Sequence, residues 1–336
     1  MLILPLETKV TSLSYADSEH TTVEDIHITV PGSTGTIHIH DSDVVLITLG
    51  SMTSSSTLGT NHTAASSAPS EGHLSNDGSW ELWASLSNDS PNFGHAANFS
   101  TRVPQSHWQS FTVTLKSPKL LTHLAEFTHN AAGTGALTTF ADSNWLLSIV
   151  VPQQPHFLSQ PPDVQVFWGY GLYPSRDGNF VVKPMTACSG EEILTELLGH
   201  LHFPVQPYLD GAITIPCSMP YITSQFLTRG PGDRPQVIPH GSTNLAFMGQ
   251  FVEIPQDVVF TVEYSVRGAQ MAVCGLMGLE KKPRSVYKGE HDPRVLVKVL
   301  KAMMEDGVGG GSFSSDPSGD SMDQDVTVPL SLPIVI

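Results

Sequence analysis

Hydrophobic and polar positions alternate along the first fifty residues. Ile26, Ile28 and Val30 precede a PGSTG turn and then Ile37 and Ile39, which predicts a β-hairpin. The next apolar run, VVLITLG at 44–50, is unbroken, as in a strand buried on both faces of a parallel sheet. A second strand of this kind, NLAFMG at 244–249, also ends in glycine and leads through a short loop to a helix opening near Thr261. That helix is expected to turn Val262, Val266, Ala269 and Val273 onto the sheet. Its N-terminus, with free backbone N–H groups at the positive end of a dipole, suits an anion.

Residues 51–79 are rich in Ser, Thr, Gly and Asn without a period and read as a long loop. A helix opening at Ser117-Pro118 carries Leu120, Leu121, Leu124 and Phe127 on one face, and strands are predicted at 145–151 and 164–168. Ser189 and Glu192 have capping-box spacing ahead of Ile193, Leu194, Leu197, Leu198 and Leu201. The Pro-rich stretch 204–239 reads as irregular, with its apolar piece GAITIP lying across the sheet. A last helix from Asp292-Pro293 is expected to bury Val295, Leu296, Val299, Leu300 and Met303. Residues 306–336 are expected to be a disordered tail, Gly-, Ser- and Asp-rich as far as Asp325, with the closing apolar VTVPLSLPIVI, broken by two prolines, open to reading as an extended strand.

Composition narrows the function classes. With 336 residues, 40% hydrophobic, the chain can build a sizeable core. A net charge of -16 argues against a nucleic-acid partner, which needs a concentrated positive footprint. The one local excess of cations is Lys281, Lys282, Arg284, Lys288, Arg294, Lys298 and Lys301, which reads either as a surface for lipid headgroups or as a solvated face. Cys188, Cys217 and Cys274 form neither a disulfide framework nor a zinc pattern, so a reducing compartment is expected. With no signal-like N-terminus and no apolar run of about 18 residues, a soluble cytoplasmic protein is expected. The sequons at Asn61, Asn88 and Asn98 then carry no weight.

Common hydrolase, zinc-protease and phosphate-loop motifs are missing, as is G-x-G-x-x-G; GVGGGS at 307 follows no strand. HIHD (His38, His40, Asp41) places two histidines on one face of a predicted strand opposite Ile37 and Ile39, which favours a solvent face over a metal site. Two apolar strands ending in glycine allow backbone to approach something flat or anionic, or mark two tight turns.

The strings GSMT, DSNWLLSIVVPQQPHF, QVFWGYGLYP, PCSMPYITSQF, GDRPQVIP, STNLAFMGQFVEIPQDVVFTVEYSVR and VYKGEHDPRVLVKVLK resemble the oleate hydratase family, also called the myosin-cross-reactive antigen family. The resemblance runs from about Ile3 to about Lys301. It implies FAD-dependent addition of water to the cis double bond of an unsaturated fatty acid such as oleate or linoleate, giving the 10-hydroxy acid. It also implies a homodimer that collects substrate at a membrane surface.

The implied fold is mixed α/β, a partial two-dinucleotide-fold flavoprotein with a substrate domain and a C-terminal helix. Residues 1–53 would be a remnant of the FAD domain, 54–240 the substrate domain, 241–285 the returning FAD strand and helix, and 286–305 the C-terminal helix. By the same resemblance Val10 lies beside the adenosine, and Gly50 and Ser51 form the turn closing the cofactor domain. Gln250 and Phe251 border the isoalloxazine, with Thr261 and Ser265 near the pyrophosphate. His156, Tyr170, Tyr173 and Tyr221 are the polar groups expected at the acyl channel, with filling of an aromatic core as the alternative.

The sequence departs from the family pattern as well. It holds neither the Gly-rich phosphate loop nor the segment expected to carry the catalytic carboxylate and tyrosine, so weak FAD binding is expected. ILPL runs directly into ETKV where relatives carry a helix, His240 replaces an acidic residue, and Gln153 replaces a frequent His. Two functions of different class follow: a flavin-dependent hydratase, or a non-catalytic remnant that binds fatty acid or a partner chain. A flavin oxidoreductase related to amine oxidases ranks lower, because the matching strings extend through the substrate part.

Overall fold

The computed structural model describes residues 7–66, 78–134, 137–255, 257–259, 261–305 and 334–335. Alternation at the start of the chain produces an antiparallel sheet of β1 (Lys9–Tyr15), β2 (Val23–Val30) and β3 (Ser33–His38). Ile26 faces Ile37 across the ladder. The turn is tighter than PGSTG: Gly32 takes a φ of 83°, and Ser33, Thr34 and Gly35 already belong to β3.

The unbroken apolar runs become a parallel pair, β4 (Val45–Thr48) and β11 (Leu245–Met248), in which Val45 through Ile47 and Leu245 through Phe247 are buried. On the other edge of β4, β12 (Ile334–Val335) pairs in parallel with Val45 and Leu46. Two residues of the expected disordered tail are therefore strand-paired; 306–333 and 336 lie outside the described residues.

The loop expected at 51–79 contains β5 (Thr57–Leu58), and Gly78 already opens helix α1 (Gly78–Asp89). Two short helices, α2 (Ala97–Ser100) and α3 (Val103–Ser106), lead to β6 (Trp108–Leu115). Beyond α4 (Lys119–Thr128) come β7 (Leu137–Thr139), β8 (Leu147–Val150) and β9 (Gln165–Gly171). Helices α5 (Gly190–His200) and α6 (Gln206–Leu209) precede β10 (Ala212–Met219). The antiparallel order is β5-β10-β6-β9-β8-β7.

GAITIP thus lies within the sheet and not across it. Pro216 is tolerated there because its carbonyl accepts from Gly59 at 2.8 Å, so its ring nitrogen also faces the β5 side, where the partner is only two residues long. On β6, Phe111, Val113 and Leu115 point under the helices, while Trp108, Ser110 and Thr112 point to the opposite face. Helix α5 starts with the predicted capping box and buries Ile193, Leu194, Leu197 and Leu198. In α4, Leu120, Leu121 and Leu124 are buried, but Phe127 is half exposed against Phe203.

Among the described residues, packing forms two cores. One holds β1–β4, α1, β11 and helix α7 (Val262–Leu276) around Trp80, Trp83, Phe93, Phe99, Phe247 and Phe251; the other is built on the six-stranded sheet. Residues 80–103, Tyr221 and Val237 pack in the first core, so the packing does not follow the expected 54–240 grouping.

Two expected helix faces are wrong. In α7 the buried residues are Tyr264, Gly268 and Ala272, whereas Val262 is 76% exposed and Val266 and Val273 are half exposed. Gly268 brings the helix backbone near the side chains of Ile254 and Val252, so small residues mark the packed side. Helix α8 (Pro293–Glu305) leaves Leu296, Val299, Leu300 and Met303 exposed, with Val295 only half buried.

Candidate functional site

The carboxyl ends of β4 and β11 lie side by side, and α7 opens shortly after β11. Both strands run into glycines with left-handed φ, 62° at Gly50 and 90° at Gly249. A Cβ on Gly50 would stand 3.0 Å from ring atoms of Phe251 and Trp80, and one on Gly249 would stand 3.0 Å from Cγ2 of Thr48. Only glycine lets the backbone turn here at such close approach.

Thr261 caps α7: its hydroxyl accepts from the Tyr264 N–H at 3.1 Å and donates to the Val258 carbonyl at 3.3 Å. The Gln250 amide donates to Ser265 Oγ at 2.7 Å and to the Thr261 carbonyl at 3.2 Å. Gln250, Thr261 and Ser265 therefore meet between the end of β11 and the first turn of α7. Gly50 and Ser51 follow the neighbouring strand.

Two other residues of the expected cofactor set are placed differently. Phe251 is 1% exposed, with its ring edge-on to Trp80 at 5.0 Å and to Phe99 at 5.5 Å, so it fills the first core. Val10 pairs with Ile28 in the antiparallel sheet and packs against the first core.

Sequence reasoning missed two supports of this edge. The Trp80 indole N–H donates to the Ser51 carbonyl at 2.9 Å, bracing the turn after β4. The Tyr264 hydroxyl donates to the Val252 carbonyl at 2.6 Å and accepts from the Ile254 N–H at 3.2 Å, binding the chain after β11 to α7. Burial pushes the Tyr264 phenol up, which keeps its donating proton in place. The spacing of Trp80, Trp83 and Leu86 was the available signal for α1.

The four expected channel residues do not converge. Tyr170 stacks on Trp108 at 4.8 Å on the sheet face opposite the helices. Tyr173 is half exposed beneath the Arg176 guanidinium, 4.0 Å from its ring centre. His156 is exposed and lies edge-to-face on Phe157. Tyr221 is buried in the first core against Trp80, where burial raises its pKa and makes it a more reluctant acid. At the hairpin, His38 Nδ1 is 2.5 Å from Asp25 Oδ1 and His40 is exposed; no group of three metal-ligating side chains occurs among the described residues.

Residues 4–274 match the sequence model of the MCRA family, a stretch that includes β4, β11 and α7 as far as Cys274. The chain belongs to the MCRA family. It is similar to the oleate hydratase of Streptococcus pyogenes serotype M49 (strain NZ131), 39% identical over 310 residues, covering 88% of this chain and 52% of that protein. It is also similar to the linoleate hydratase of Lactiplantibacillus plantarum, 34% identical over 300 residues, covering 82% of this chain and 51% of that one. This MCRA-family chain spans about half the length of the curated relatives it matches. Among its described residues, no helix is long and apolar enough to cross a membrane.

Proposed function

We propose that the chain supplies the flavin-closing edge and the acyl-facing sheet of an FAD-dependent fatty-acid hydratase. The observation that carries this reading is the edge itself: two parallel strands running into left-handed glycines beside a capped helix N-terminus, tied together by Gln250, Thr261 and Ser265. Ligands of open α/β sheets bind outside strand carboxyl ends, and a helix N-terminus favours a diphosphate. Part of the donor set fits: the backbone at Gly249 and the hydroxyl of Ser265 are partly open at this edge, and the Gln250 amide, whose two hydrogens go to Ser265 Oγ and the Thr261 carbonyl, holds the hydroxyl in place. Hydration has no net redox change, so the bound flavin supplies shape and charge.

The substrate reading draws on the two relatives named for oleate and linoleate. Hydration places a proton on one alkene carbon and the hydroxyl of water on the other, which requires a positioned acid and a positioned water. Because Tyr170, Tyr173, Tyr221 and His156 are dispersed, the acid is assigned to none of them. Trp108, Trp168, Tyr170 and Ile213 give the open face of the six-stranded sheet an apolar floor for the acyl chain. Peripheral membrane contact is assigned to α8, whose apolar Leu296, Val299, Leu300 and Met303 repeat at helical spacing opposite Arg294, Lys298 and Lys301.

The test is to incubate the purified chain with FAD, remove free cofactor, record the absorbance, then add oleate and analyse the products. A retained flavin band is the expected result for the edge, and hydroxy acid formed with it would place the acid within this chain as well. A band without product fits both a hydratase part that does not itself carry the acid and the second reading, a fatty-acid binder without turnover. Absence of a flavin band contradicts the assignment of the edge.

A further inference from the structure

Away from the strand ends, the C-terminal half of α7 and the strap that follows it enclose a groove of about 460 Å³. Its floor is apolar, made by Ile254, Met271, Cys274 and Leu279, and its mouth carries Lys282 and Arg284. Both cations are exposed, while the neighbouring Arg267 is engaged by Asp257 at 2.6 Å and donates to the Arg284 carbonyl. That last bond fixes the strap backbone so that it forms one wall of the groove.

A second cavity of about 340 Å³ shares Pro255 and Met271 with the first and continues past Ile238 to Glu253. The two together make an apolar trough with cations at one end. At the other end Glu253 is an anion, paired with Arg229 at 3.2 Å. The polarity contrasts with the chain as a whole, which carries a net charge of -16 yet places seven of its sixteen Lys and Arg residues between Lys281 and Lys301.

We infer that this trough binds a free long-chain fatty acid, with its carboxylate at Lys282 and Arg284 and its tail over Met271 towards Ile238. The volume falls in the range of about 300–1,000 Å³ typical of sites that take a mostly apolar ligand oriented by a few polar groups. Lys and Arg suit the mouth because their stems cover apolar surface while their charged ends stay in water. The ends set the direction: Lys282 and Arg284 are exposed cations, whereas at the other end Arg229 is already paired with Glu253 and an inverted carboxylate would have to compete with it. The site lies on the side of α7 marked by Met271 and Cys274, under Leu279 of the strap, and is separate from the edge at Gln250 and Ser265. The choice of a fatty acid as ligand rests on the hydratase reading, but no flavin or turnover is required for binding here.

Cys274 lines the groove and Cys217 lies on the open face of the six-stranded sheet, so alkylation of the two thiols distinguishes the locations. The flavin-free chain is treated with N-ethylmaleimide in the presence of oleate below its self-association concentration, and each cysteine is followed by peptide mass spectrometry. Oleate is expected to slow alkylation of Cys274 several-fold, whether or not Cys217 on the acyl-facing sheet is shielded as well, while oleyl alcohol protects Cys274 far less. In the double variant Lys282→Glu/Arg284→Glu, about tenfold more oleate should be needed, as expected when two exposed charge contacts become repulsive.

Protection of Cys217 alone, equal protection by the alcohol, or a double variant that responds like the parent overturns the inference. A chain that retains flavin without shielding Cys274 refutes the groove and leaves the flavin edge standing. One that shields Cys274 without retaining flavin does the reverse.

Discussion

At Glu196 a carboxylate with 0% exposure is held, among the described residues, with no Lys or Arg as its ion-pair partner. It accepts the backbone N–H groups of Asn179 at 2.6 Å, Phe180 at 2.8 Å and Val181 at 2.7 Å, with His200 Nε2 at 3.2 Å. Burial alone would raise its pKa, but the hydrogen bonds from His200 and the three backbone donors outweigh it and hold the group below the usual glutamate value. Its contribution is therefore full above the unfolded-state pKa and is lost as the pH falls through the lower folded value. Glu196→Gln sets an amide NH2 against these donors and should cost roughly 2–3 kcal/mol near neutral pH. Urea midpoints of parent and variant should stay apart from about pH 7 down to the ordinary glutamate value of about 4.3 and draw together only as the pH falls below it; a gap that closes above that value, or widens below it, contradicts this account.

Phe251 teaches a related lesson about what a sequence shows at a single position. Its place after Gly249-Gln250 was legible, but the direction of its ring was not. That direction is set by Trp80, Trp83 and Phe99, three rings brought from α1 and α2.

Among the elements, local signals located those whose own residues carry the whole pattern. The hairpin followed from alternation, and α5 from a cap and an i, i+3, i+4 stripe. Helix α7 was located by its start, yet its inward face was misassigned because the larger apolar residues lie outside. Close approach to the segment after β11 selects Gly268 and Ala272 on the packed face, leaving Val262, Val266 and Val273 outward. Strand β10 was obscured by Pro216, whose tolerance depends on how short β5 is, a property of a distant stretch of chain.

The corrected face of α7 makes a contrast that can be measured. Ala272→Leu, at a position with 0% exposure, should lower stability by about 1–3 kcal/mol through overpacking. Val266→Ser should stay within about 0.5 kcal/mol, as for other surface substitutions. Denaturant midpoints showing the opposite order would restore the valine face to the sheet.

For the whole molecule, two cores, one open sheet face and two helices with exposed apolar residues give a body that is acidic overall and cationic locally. The sequence did not show which residues share a core, because residues 80–103 and Tyr221 join the first core from both sides of the second in chain order. The cationic stretch was visible, but its pairing with an exposed apolar stripe on α8 needed the structure. Co-sedimentation with phosphatidylserine vesicles should be strong at low salt and decline as salt rises, since each cation near an anionic surface contributes about 1 kcal/mol and screening removes it. Leu300→Asp should weaken binding at every salt concentration; equal binding by parent and variant would separate α8 from the membrane.

The central claim is that the β4, β11 and α7 edge holds the flavin diphosphate, and Ser265→Asp tests it most directly. An acid in the first turn stabilises the helix by about 0.3–1 kcal/mol through its dipole, so the variant should fold at least as well as the parent. The same charge repels a diphosphate. In a flavin fluorescence titration, the parent is expected to show weak but saturable FAD binding and the variant about tenfold less affinity, equivalent to one unpaired charge at the site. Equal affinity in the two proteins, or no saturable binding to the parent, contradicts the assignment.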